Sequence, residues 1–162
     1  MKNIVGVLVC IAVVLLASCV QSTETPAPNA TPEPTATPGP VVVGTITSAE
    51  ELAGVWHRTT RTGMGMDVYR QYMEDGIYRM GTSPEELEVR PRVEGKFWFE
   101  GVKIVVQDTS GIPGFDVCVE GEKTGKYEVE LLENGHIRFV AVEDECSERA
   151  GMLGAGEMEP VP

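Results

Sequence analysis

The chain has no Gly-x-Ser-x-Gly, no His-Glu-x-x-His and no P-loop pattern. It therefore offers no nucleophile elbow, no zinc-protease helix and no phosphate cradle on which to build an enzyme. Histidine is scarce: His57 and His136 are the two in the chain, and neither has a partner at the short spacings that metal ligation uses. Basic residues are in the minority, 13 Lys and Arg against 25 Asp and Glu, for a formal net charge of −12. That balance argues against nucleic acid, whose phosphates need a basic face. It equally argues against electrostatic adhesion to an anionic membrane. No apolar run reaches the roughly 20 residues that a membrane-crossing helix needs. Aromatics are absent before Trp56 and after Phe139, so the first forty residues have little from which to build a core.

What the beginning of the chain does contain is ordered. Met1-Lys2-Asn3 supplies a short positive start, and Ile4–Leu16 follows as 13 residues without a charge. A helix of that length reaches about 20 Å, against a bilayer core of about 30 Å. The run suits the apolar region of a signal peptide, residues 1–18, and not a permanent span. Leu16-Ala17-Ser18-Cys19 comes next and resembles the lipobox of bacterial lipoproteins. The resemblance implies that Cys19 is lipidated and becomes the first residue of the mature chain. Two or more acyl chains then anchor it stably in the bilayer. Residues 20–40 hold six Pro and five Thr and no aromatic. They read as an extended, polyproline-like tether that can reach about 60 Å. The expected organisation is signal peptide 1–18, lipidated Cys and tether 19–46, and a domain over 47–162.

That domain reads as all-β. Ser48-Ala49-Glu50-Glu51 is a capping box for one or two helical turns near 49–53, and Ser83-Pro84-Glu85-Glu86 starts a second short helix near 83–88. Strands are expected over 55–62, 67–73, 77–80, 96–99, 102–107, 126–132 and 136–142, punctuated by Glu74-Asp75-Gly76, Glu100-Gly101 and Glu133-Asn134-Gly135. Tyr127, Val129 and Leu131 alternate with Lys126, Glu128 and Glu130, the mark of a sheet with one face buried and one wet. Val41-Val42-Val43 is either a short edge strand or the end of the tether. Six or seven strands in hairpin order argue for an antiparallel up-and-down meander, and closing it removes its exposed edges.

The short helix leading into Gly54-Val55-Trp56 resembles the Gly-x-Trp start of the lipocalin-like (calycin) barrels. Asp144-Glu145-Cys146-Ser147-Glu148-Arg149 is similar to a late segment of small exported lipoproteins with such a domain. The resemblance implies that Trp56 sits at the closed end with a late Arg across it, Arg138 or Arg149.

Cys118 and Cys146 are the thiols left in the domain, and export predicts a disulfide between them. Its loop of about 28 residues corresponds to about 3–4 kcal/mol in the chain-entropy account. The acidic residues around both Cys, from Asp116 to Glu148, read as solvated surface, and no metal or other cofactor is expected. Trp56, Tyr69, Tyr78, Phe97 and Phe99 are the candidate lining of a cavity for a small apolar ligand. The function expected is thus a non-enzymatic binding module in the cell envelope, anchored through Cys19 and facing outside the cytoplasm. The alternative is a filled β-domain that contacts or inhibits another envelope protein.

Overall fold

The computed structural model describes residues 39–59 and 66–162; the expected signal peptide, Cys19 and most of the expected tether lie outside them. The described residues belong to a unit that spans Pro38–Pro162. Among the described residues nine strands and three short helices follow one another. They are β1 (Val42–Ile46), α1 (Ala49–Leu52), β2 (Gly54–Thr59), β3 (Asp67–Tyr72), β4 (Ile77–Gly81), α2 (Pro84–Val89), β5 (Val93–Glu100), β6 (Lys103–Gly111), β7 (Thr124–Leu132), β8 (Ile137–Asp144), α3 (Ser147–Leu153) and β9 (Glu157–Val161).

The strands pair in the order β1-β7-β6-β5-β4-β3-β2-β9-β8, and β7 also pairs with β8. That second pairing closes β2 to β9 into an eight-stranded antiparallel barrel, an architecture compatible with a lipocalin-like fold. Up-and-down connectivity gives the barrel two unlike ends. At one end the connections are tight: Met73–Gly76, Gly101-Val102 and Glu133–His136. At the other lie the longer links 82–92, 112–123 and 145–156, of which the first carries α2 and the third α3.

Local sequence accounts for most of these elements. Ser48 and Ser83 cap α1 and α2, their hydroxyls accepting from the backbone N–H of Glu51 at 3.2 Å and of Glu86 at 3.3 Å. The returning glutamates reach one residue further back than a capping box requires. Glu51 accepts from Thr47 N–H at 2.7 Å and Glu86 from Thr82 N–H at 2.8 Å. Gly76 and Gly135 take positive φ in the tight turns, as those turns demand. At Gly95 a Cβ would lie 2.3 Å from the Gln107 carbonyl oxygen and 2.4 Å from the Tyr78 ring, so the side chain is missing where sheet and ring press together.

The structure chooses between the two readings of Val41-Val42-Val43 and adds elements near the end of the chain. Val42–Ile46 is an edge strand. β6 and β7 are staggered, so that β6 covers only Thr124–Tyr127 of β7. β1 takes the edge left beside Val129–Leu132, with Ile46 opposite Val129 and buried. The domain therefore begins before Thr47. The end of the chain adds α3 and β9, neither of which its composition announces. α3 contains Gly151 and has no side-chain N-cap. β9 contains Pro160 and buries Met158 alone. Both form through tertiary contacts: β9 fills the gap between β2 and β8.

The core is one cluster. Tyr72 stands at its centre, edge-on to Phe97 at 5.3 Å and stacked with Phe139 at 5.9 Å and Tyr78 at 6.0 Å. Ile46, Leu52 and Trp56 close the tight-turn side. Every strand pair of the ring, the core and the Cys118–Cys146 disulfide lie within Pro38–Pro162. This unit thus holds its own core and closes its own hydrogen-bond ladder, which is what independent folding requires.

Candidate functional site

The longer links frame a cleft of about 700 Å³ that opens to solvent. Its wall is mainly apolar: Met66 and Val68 at the start of β3, Met80 near the end of β4, Phe115 and Val117 from the 112–123 link, and Met152 from α3. Thioethers and one aromatic ring make a deformable lining, suited to a ligand without a fixed shape. Volume and composition fall in the range of small-molecule sites.

None of the five expected lining residues reaches this cleft. Trp56, Tyr78 and Phe97 are core residues, and Phe99 packs against them. Tyr69 points outward and lies against the His57 ring, centroids 4.5 Å apart. The aromatics fill the tight-turn side of the barrel because an eight-stranded ring is only just wide enough for its own large side chains. Space remains at the other end, where Met and Val take over.

Polar groups inside the barrel are few and concentrated. Asp108, Arg58, Arg70 and Arg149 are all buried. Arg149 comes from α3 and donates to Asp144 through Nε at 3.0 Å and Nη2 at 2.7 Å, and to Asp108 through Nη1 at 3.3 Å. Burial disfavours its charge, but the bonds to Asp144 and the field of Asp108 prevail and raise its pKa. Tyr78 donates its hydroxyl proton to Asp108, and Tyr127 donates to Asp144. Burial and those carboxylates push both phenols up, Tyr78 well above the usual value.

Arg58 is placed differently. It lines the cleft from β2 and is 7% exposed. Its Nη2 donates to the Met152 carbonyl at 2.5 Å, while Nε and Nη1 are buried without a hydrogen-bond partner. Burial first, and then the like charge of Arg70, lower its pKa. Arg92, also on the cleft, is committed to Glu86 at 3.0 Å and stands over the Phe115 ring at 5.2 Å. A second, polar cleft of about 550 Å³ borders Arg58 from β9, with His57, His136, Arg138, Glu157 and Glu159.

The two candidates for a late arginine across Trp56 are both held by carboxylates. Arg149 is engaged by Asp108 and Asp144, and Arg138 by Glu130 at 2.6 Å. Trp56 instead donates its indole N–H to the Leu52 carbonyl at 2.9 Å, which ties the barrel wall to α1.

The disulfide joins Cys118 to Cys146, residues 28 apart in sequence. It fixes the 112–123 link to the start of α3, two of the cleft's borders. The acidic residues beside it do not converge on a common point. Asp144 faces Arg149, Glu145 accepts from Thr124 N–H at 2.7 Å, and Asp116 accepts from Gly114 N–H at 3.2 Å. Among the described residues the one group at ligand spacing is Cys118, Cys146 and Glu148, whose sulfurs are bonded to each other.

Sequence reasoning passed over Arg58 and Arg70, yet a signal was present. In a strand, residues two apart share a face. Arg58 follows Trp56 by two, and Arg70 lies between Val68 and Tyr72 by the same step, so a charge was threaded into each inward row. No protein-family model, no curated protein and no solved structure matches the chain, so its likeness to the lipocalin-like barrels stands on Gly54-Val55-Trp56 and the closed ring.

Proposed function

We propose that this protein is a non-enzymatic binding module of the cell envelope, held by an acylated Cys19 and a Pro/Thr tether, whose barrel takes a small apolar ligand at its wide end. The observation that carries the reading is the cleft of about 700 Å³ walled by Met66, Val68, Met80, Phe115 and Met152. The Cys118–Cys146 disulfide supports an oxidising compartment outside the cytoplasm. The tether composition supports a domain held away from the membrane surface.

Native mass spectrometry of the protein purified from its own host tests the proposal. The expected result is a co-purifying molecule of small mass that dissociates on activation, together with acyl mass on Cys19. A stoichiometric second polypeptide with no small molecule overturns the ligand reading in favour of an envelope interaction or inhibitor module.

A further inference from the structure

We propose that the ligand of the wide-end cleft carries an anionic oxygen group on an apolar chain, and that Arg58 is the residue that binds it. The inference rests on the apolar-ligand reading above and adds the chemistry of the head group. Among the described residues four charged ones line the cleft: Arg58, Arg92, Asp108 and Glu148. Arg92 is neutralised by Glu86. Asp108 is taken by the Tyr78 hydroxyl and by Arg149, and Glu148 is exposed. Arg58 is the exception, since its one bond goes to an uncharged carbonyl.

A buried guanidinium left with two unpartnered nitrogens is costly, and the low dielectric that makes it costly also strengthens any anion that reaches it. The second guanidinium at Arg70 repels Arg58 and adds to the local positive potential. Arg58 is thus a buried cation that borders the apolar cleft on one side and the polar cleft of β9 on the other. Charge-assisted bonds from arginine favour carboxylate and phosphate oxygens. A neutral alcohol of the same chain length can accept a bond from Arg58 but brings neither a charge nor a second oxygen, so the anion is favoured.

Binding of dodecanoate, dodecyl phosphate and dodecanol to the delipidated Pro38–Pro162 unit, measured by isothermal titration calorimetry below micelle concentrations, tests this. We expect at least one of the two anions to bind about tenfold or more tightly than the alcohol. The tighter anion identifies the head group as carboxylate or phosphate. Arg58→Met should abolish that preference, bringing the three affinities to within about twofold of one another. Dodecanol binding as tightly as both anions overturns the inference while leaving the apolar-ligand reading intact. An anion preference that persists in Arg58→Met overturns the role of Arg58. Failure of all three amphiphiles to bind overturns both readings. The wild-type ratio is decisive by itself, should the variant fold poorly.

Discussion

The buried arginines of this barrel have unlike surroundings and should respond oppositely to substitution. Arg149 satisfies two aspartates at once, so its removal strands Asp108 and Asp144 without a counter-charge in the interior. Arg149→Met is expected to cost about 3–5 kcal/mol, the usual loss when one partner of a buried pair is removed. Arg58 has no carboxylate to strand, and Arg58→Met exchanges an under-satisfied charge for a side chain that suits its apolar neighbours. Its cost in the ligand-free protein is expected to be below about 1 kcal/mol. Urea unfolding of the two variants beside wild type checks the contrast, and equal losses contradict it. Neither role is legible from composition. The inward period of β2 and β3 shows that Arg58 and Arg70 are threaded into the barrel. Only the fold reveals that α3 delivers a cation to Asp108 and Asp144 and none of the described carboxylates to Arg58.

Among the elements, β2, β3 and β9 are joined on their outer faces by one imidazole. His57 contacts Asp67 at 2.9 Å and Glu159 at 2.8 Å. Partial burial alone would lower its pKa, but the bonds to Glu159 and then Asp67 outweigh that and raise it. The protonated form is therefore favoured in the folded state. Its stabilisation is complete below the unfolded value of about 6.5 and fades as pH rises through the folded value. Thermal unfolding at pH 5.5 and pH 8.5 should show a larger drop in wild type than in His57→Gln, and identical drops refute the assignment. Glu86 behaves in the opposite sense. Arg92 first, then the Thr82 N–H, hold its carboxyl down to about 2. The cap it provides for α2 persists above pH 4.5 and weakens as pH falls toward 2. Helices α1 and α2 were legible because caps are local chemistry, set within four residues. The outer histidine site was not, because residues 57, 67 and 159 meet only after β9 has closed the ring.

For the molecule as a whole, the disulfide links the two segments that border the cleft and limits how far the wide end can open. Its loss through Cys118→Ser with Cys146→Ser is expected to lower unfolding free energy by about 3–4 kcal/mol. It should also speed hydrogen exchange selectively in 112–123 and α3, measured by mass spectrometry. Uniform acceleration over the barrel would contradict a local tether. Alternation, turn glycines and serine caps are short-range, and so the sequence alone determined an antiparallel meander with two helical turns and offered one pair of thiols for a disulfide. Long-range geometry settled the rest. Residues 42–46 became a strand because β7 has an edge to cover, and β9 is a strand because the ring needs an eighth member. The aromatics became filling and the methionines became lining because ring size and link length, neither of them written in any local pattern, set where the barrel is full and where it is open.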